Sequence, residues 1–256
     1  MAIHATAVIY PGAKIEEGVE IGPYAVIGSE VTIKKGTKIG PHVVVEGWTT
    51  IGENCQIYTG AVIGSPTQDL KNEGKRSYAE IGDGNIIREY VTINRATHAE
   101  GVTRIGHRNL LMINAHIAHD CILGDGIILG NLATLAGHVV VEDRAIIEGL
   151  TGIHQFIRIG RHAFVGGYSK VVKDIAPYLK VAGQPTKVYG INMLGLERSG
   201  FSPENINNIE KAYRILFRSK LNVTQGLKRL EEGGGLTPEV RPMIEFIKNS
   251  ARGICR

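Results

Sequence analysis

Large aliphatic residues recur at every sixth position from Ile3, through Ile9, Ile15, Ile21, Ile27, Ile33, Ile39, Val45, Ile51 and Ile57 to Ile63. The same phase returns at Ile81, Ile87 and Ile93 and runs again from Ile105 to Val171, with Asp69, Lys75 and Ala99 as the misses. Glycine often follows the aliphatic residue, as at Gly22, Gly40 and Gly124, and a small residue stands four places on, as at Ala25, Cys55, Ala61 and Cys121. A six-residue period fits neither an amphipathic helix nor an alternating strand. It predicts short strands separated by turns, each sending one large side chain inward. Three such units close a triangular coil of about 18 residues, and coils stack at the usual inter-strand spacing of roughly 4.8 Å. A lone coil buries too little to stand, so the predicted all-β solenoid is stable only as a stack. The period alone leaves the hand of the coil open.

Two segments, 64–80 and 94–104, leave the repeat and rejoin it in the original phase, which predicts loops thrown outward from the coil. After Val171 the ladder fades. Ser202-Pro203-Glu204 reads as a helix start, with Ser as N-cap and Pro at the first helical position. Ile206, Ile209, Tyr213, Leu216 and Phe217 follow at helical spacing; further helices are expected over 223–230, ended by the glycines at 233–235, and from Pro238 to about Arg252. The expected organisation is a β-helical domain over 1–185 and a C-terminal helical domain over 186–256.

Composition agrees with a repeat architecture: of 256 residues 43% are hydrophobic, only 6% are aromatic, and 33 are glycine. No apolar run approaches the roughly 20 residues of a membrane span, and Met1–Tyr10 lacks a signal-peptide pattern, so no integral membrane segment is expected and the cytosol is the expected compartment. Cys55, Cys121 and Cys255 form no CxxC pair and read as reduced thiols. The net charge of +4 is too small and dispersed for nucleic-acid binding, yet compatible with docking an acidic protein.

With three hexads per coil, the units starting at Ile117, Leu135 and Ile153 stack on one face, and they carry His119, His138 and His154. Leaving out the loops puts the units of Ile63 and Ile93 on the same face, so loops and histidines share one wall. Histidine titrates near neutrality and serves as a general base when a neighbour fixes its tautomer; Asp120 and Gln155 are such neighbours. One turn histidine is ordinarily just solvated. Clustered imidazoles could also bind zinc, as in a metal-dependent hydratase of the carbonic anhydrase type, although these three occupy different hexad positions. A purely structural solenoid leaves the gathering of loops and histidines unexplained.

The run Asn114-Ala115-His116-Ile117-Ala118-His119-Asp120-Cys121, then Leu135-Ala136-Gly137-His138-Val139 and His154-Gln155-Phe156, resembles the UDP-N-acetylglucosamine O-acyltransferases of lipid A synthesis. Gln68-Asp69-Leu70-Lys71 and Gly195-Leu196-Glu197-Arg198-Ser199-Gly200-Phe201 extend the likeness over the whole chain. The resemblance implies a left-handed parallel β-helix of hexapeptide repeats with a C-terminal α-helical domain, and a homotrimer with clefts between subunits. It implies transfer of a hydroxyacyl chain from acyl carrier protein to the sugar 3-hydroxyl of UDP-N-acetylglucosamine. His119 would be the general base, Asp120 its orienting partner, and the Gly137 N–H the oxyanion donor. Asp69, Lys71, His116, His138 and Gln155 would contact sugar or diphosphate; His154, Asn192 and Arg198 would lie on the nucleotide side, and Gln68 would be a further substrate-binding residue. Gly167 matches a position that limits acyl length and leaves room for a chain of about fourteen carbons. No cofactor and no metal is implied, because the carrier protein's phosphopantetheine thioester is itself an activated substrate. Asn94, Leu194 and Ser199 depart from the family's pattern, which leaves a 3-amino sugar nucleotide as an alternative acceptor. The related N-acyltransferase carries an added N-terminal domain, whereas the hexads here start at Ile3.

Overall fold

The computed structural model describes residues 2–70, 74–233 and 235–256. Short strands wind around three faces of a prism. The first face runs from Ala2–Ile3 through Phe164–Val165 to Leu179–Ala182, the second from Val8–Ile9 to Lys170–Val171, and the third from Lys14–Ile15 to Arg158–Ile159. Each strand pairs in parallel with its counterpart one coil away, and the ladder residues meet in register, as in Ile21 with Ile39 and Ile117 with Leu135. Ladder residues from Ile21 onward are buried, whereas Ile3 at the open first coil remains 41% exposed.

Each corner needs a tight turn, and most turns put a left-handed backbone at a position that is a multiple of six. Gly12, Gly18, Gly36, Gly60, Gly84 and Gly126 fill some of these places without strain. Tyr24, Asp120, Leu132, His138, Leu150 and Phe156 fill others with φ near 60°. That conformation is unfavourable for a residue with a Cβ, and the stack over-determines it. The N–H of the left-handed residue bonds to a carbonyl of the corner one coil earlier, as in His138 to His119 at 3.0 Å and Arg144 to Asp125 at 2.8 Å.

The two excursions are shorter than the hexad pattern predicts. Residues 78–81 and 102–105 are strands rather than loop, paired residue for residue with each other and, for 78–81, with Trp48–Ile51. The third face is locally widened: Thr49, Ala79 and Thr103 are buried as an extra inward layer outside the hexad phase. Among the described residues of the coil, 66–70 with 74–77, and 95–101, project, both from the corner between the second and third faces.

Past the last coil the chain makes a hairpin of Leu179–Ala182 with Lys187–Ile191, then helix α1 (Met193–Arg198), α2 (Pro203–Tyr213), a π-helical turn (Arg214–Arg218), α3 (Val223–Glu232) and α4 (Arg241–Lys248). Ser202 caps α2 through its side chain, and Asn222 with Gln225 forms a capping box on α3. The last helix is shorter than expected. Thr237–Val240 is a turn, with Val240 N–H bonded to the Thr237 carbonyl, and Pro242, not Pro238, occupies the first helical turn. Beyond Lys248 the chain leaves the helix and returns to the prism, where Asp174 and Ile254 form a parallel bridge. No helix among the described residues is long and apolar enough to cross a membrane.

Candidate active site at the corner between the second and third faces

His119 and Asp120 are the two turn residues between strands His116–Ile117 and Ile122–Leu123. The turn aims both side chains at the space under the second loop. His119 Nδ1 lies 2.8 Å from Asp120 Oδ2, and a carboxylate only accepts, so Nδ1 carries the proton and Nε2 presents a lone pair. His119 is only 5% exposed. Asp120 is fixed from two further sides: Thr97 N–H donates to Oδ2 at 3.0 Å, and the Asp120 N–H donates to Thr103 Oγ1 at 2.8 Å. The loop 95–101 therefore orients the carboxylate, and the carboxylate orients the imidazole.

One coil on, Gly137 lies directly against that ring. A Cβ there would sit 2.4 Å from His119 Cε1 and 2.5 Å from Nε2, so only glycine lets the imidazole take this place. The Gly137 carbonyl accepts from Phe156 N–H, while its own N–H has no hydrogen-bond partner among the described residues. His138, in the next position, packs edge-on to His119 with ring centres 5.2 Å apart and stacks on Phe156 at 4.7 Å. Burial holds the His138 ring below the usual imidazole pKa; His119 and His98 push the same way, and Asp120 and Asp69 oppose them. His116 stands on the second face with Nδ1 2.7 Å from Thr92 Oγ1, and burial, then His119, lowers its pKa as well. Beneath them Cys121 is pushed up to about 12 by burial and is an inert part of the core.

His119, Asp120 and His138 offer ligand atoms within 4.8 Å of one another, a spacing that a divalent ion could use. The carboxylate is otherwise engaged, however. Asp120 Oδ2 already accepts from Thr97 N–H and from the His119 ring, so a cation there would have to displace both. The arrangement suits a base with a free Nε2.

The profile of UDP-N-acetylglucosamine O-acyltransferase domain 2 matches residues 174–255, and that of the bacterial transferase hexapeptide (six repeats) matches 30–65. The chain is 49% identical over 255 residues to the acyl-[acyl-carrier-protein]–UDP-N-acetylglucosamine O-acyltransferase of Thermodesulfovibrio yellowstonii, covering 99% of both proteins. It belongs to the UDP-N-acetylglucosamine O-acyltransferase family. The protein of that name from Thiobacillus denitrificans is 47% identical, again over 99% of both chains. The crystal structure of the UDP-N-acetylglucosamine acyltransferase from Bacteroides fragilis superposes with a TM-score of 0.96 at 44% identity, covering 99% of each chain. The Acinetobacter baumannii structure gives 0.96 at 43% with full coverage of both. The fold is accordingly the left-handed β-helix with C-terminal helices.

Other residues that the family pattern points to are more scattered. Gln68 is exposed and Asp69 half-buried in the first loop, where Asp69 N–H bonds to Thr67 Oγ1, while Lys71 lies outside the described residues. Gln155 and His154 open the next coil of the same corner; His154 is exposed and lies beside the C-terminal segment. Asn192 is a helix cap: its Oδ1 accepts from Gly195 N–H, and its Nδ2 donates to the His162 carbonyl at 2.9 Å. Arg198 is exposed in the last turn of α1. Gly167 stands at a different corner, between the first and second faces, so one chain alone does not bring it to His119. His98, Thr97 and Phe156 complete the site and were missed by sequence reasoning. The available signals were the second loop's departure from this corner and the 18-residue spacing from His138 to Phe156.

Proposed function

We propose that this chain transfers an (R)-3-hydroxyacyl group from acyl carrier protein to the 3-hydroxyl of UDP-N-acetylglucosamine, the first step of lipid A biosynthesis. The observation that carries the mechanism is the Asp120–His119 pair held against Gly137. His119 Nε2 takes the proton of the sugar 3-hydroxyl as its oxygen attacks the thioester carbonyl. The C–O bond forms, and negative charge collects on the former carbonyl oxygen. The N–H of Gly137, without a hydrogen-bond partner among the described residues, is the donor for that oxygen. Collapse breaks the C–S bond, and the departing pantetheine sulfur recovers the proton from His119. Asp120 stabilises the imidazolium in between and keeps it oriented. The thioester is already activated, so the step calls for neither a metal nor an organic cofactor.

The active form in this reading is a homotrimer. Large apolar side chains are exposed in a row at the corner between the first and second faces, with Leu150 57% and Tyr168 70% exposed, beside Gly167. A neighbouring subunit that covers this row with its second–third corner would bring Gly167 to the acyl end of the cleft. Asp69, Lys71, His116, His138 and Gln155 then contact the sugar and diphosphate, His154, Asn192 and Arg198 take the nucleotide side, and Gln68 is a further substrate-binding residue. The donor, a carrier protein, implies a cytosolic enzyme.

The test is incubation of the purified protein with UDP-N-acetylglucosamine and hydroxyacyl carrier proteins of several lengths, read by mass spectrometry. Product mass reports the sugar and the chain together, with about fourteen carbons expected. No product with any carrier would overturn the reading, and product only with a 3-amino sugar nucleotide would change the acceptor.

A further inference from the structure

The last seven residues run back along the prism and are anchored at several points on one buried residue. Asp174 is 1% exposed. Its N–H donates to the Gly253 carbonyl and its carbonyl accepts from Cys255 N–H, both at 2.9 Å. Its carboxylate takes Ser250 Oγ–H at 2.6 Å on one oxygen and Arg158 N–H at 2.8 Å on the other. Cys255 Sγ and the Arg256 guanidinium fasten the end of the segment to the Thr186, Leu216 and Leu221 carbonyls. Between the Ser250 and Gly253 anchors stands Arg252, whose NH2 lies 3.2 Å from His154 Nδ1, 98 residues away in sequence.

Two contacts compete for that nitrogen. Nδ1 is also 3.2 Å from the carbonyl oxygen of Gln155. A guanidinium only donates and a carbonyl only accepts, so each contact demands the opposite tautomer. The Arg252 contact is charge-assisted and comes from an anchored segment; the Gln155 contact is a neutral one between adjacent residues, so the arginine prevails. With Nδ1 accepting from Arg252, the proton resides on Nε2, and the outer edge of His154 becomes a hydrogen-bond donor.

We infer that Arg252 is a positioning residue that sets His154 as a hydrogen-bond donor to an acceptor oxygen on the nucleotide side of the substrate. The C-terminal segment is thereby part of the binding site rather than a terminus at rest on the fold. The inference rests on the proposed place of His154 on the nucleotide side. Without Arg252, Nδ1–H turns to the Gln155 carbonyl and Nε2 presents a lone pair, which an acceptor oxygen avoids.

The experiment uses the full-length enzyme. Arg252→Met keeps the length of the side chain and removes its donors; Arg252→Lys restores one. Thermal melting of each variant checks that the Asp174 anchors still hold. Arg252→Met is expected to raise KM for UDP-N-acetylglucosamine about tenfold, the value of one charge-assisted hydrogen bond, with the change carried by KM rather than kcat. Arg252→Lys recovers part of the loss. The nitrogen chemical shifts of labelled His154 move from the Nε2–H to the Nδ1–H pattern in Arg252→Met. An unchanged KM in that variant, or an unmoved His154 tautomer, overturns the inference. His154→Ala separates the layers: if it raises KM while Arg252→Met does not, the nucleotide-side reading stands and the role of Arg252 falls. If both are silent, the two fall together.

Discussion

Two corners of the prism use similar residues to opposite ends. Between the third and first faces, polar side chains bond the backbone of the adjoining coil. Glu53 N–H donates to Asp83 Oδ1, Asp83 N–H to His107 Nδ1, His107 N–H to Asp125 Oδ1, and Asp125 N–H to Asp143 Oδ1, all at 2.8–2.9 Å. Just inside them Asn85 and Asn109 make a buried version of the same ladder. Between the second and third faces, His119 and Asp120 bond each other, and the Gly137 N–H beside them has no hydrogen-bond partner among the described residues. An aspartate or histidine that satisfies the next coil is part of the scaffold. One that satisfies its sequence neighbour and leaves a lone pair open is equipped for chemistry.

Substitutions on either side of this contrast should separate stability from turnover. His119→Ala should lower kcat by about 10²–10⁴-fold with an unchanged melting temperature, because it removes the base and no coil-to-coil bond. Near-normal turnover by this variant would remove His119 from the mechanism. Gly137→Ala should cost on the order of 100-fold, since its methyl drives the imidazole off its position, and a crystal structure should find the His119 ring displaced. Asn109→Ala at the other corner strips the acceptor from Ile127 N–H, at 2.7 Å, and should destabilise the fold by about 1–2 kcal/mol, a shift of a few degrees in Tm. Its kcat, measured on folded protein, should match the parent; a hundredfold loss would refute the division of labour.

The smallest expected effect is a slope. His162 lies where the prism meets the helices, packed by Phe201 and Tyr178, and burial with help from Arg144 and Arg161 pushes its pKa down to about 4 against an opposing Asp143. The fold therefore favours the neutral ring. Its contribution is fully present above the unfolded value of about 6.5 and is lost as pH falls toward 4. His162→Asn, which tolerates the left-handed turn, should lower Tm at neutral pH yet flatten its decline between pH 6.5 and 4; an unaltered slope would assign the titration elsewhere.

The hexad ladder was legible because a large inward aliphatic side chain has no alternative place, and the phase survives both loops. The histidine wall was legible for the same reason, since stacking follows from counting. Convergence of His119 with His138 was not, because it depends on the turn, which throws residues from different hexad positions toward one point. Thr49, Ala79 and Thr103 escaped notice as core because the widened strands leave the period. The asparagine and aspartate ladder depends on bonds between coils, which spacing along the chain does not reveal. Asn192 as a cap, and the return of the C-terminus to Asp174 and His154, depend on partners that no local pattern names.

The left-handed residues spaced by sixes along the regular coils make the chain a counter. Excising 18 consecutive residues from the first coils, such as 22–39, would splice Ile21 to Gly40 and keep every remaining strand on its own face, with Glu20–Ile21 meeting Gln56–Ile57 in place of Lys38–Ile39. Excising six would rotate the upstream coils by one face while the isoleucines stayed inside. A cut of any length not divisible by six would turn the isoleucines on one side of the splice outward and demand left-handed backbone from β-branched residues. Length changes within the regular coils before the first loop should thus be tolerated in steps of six.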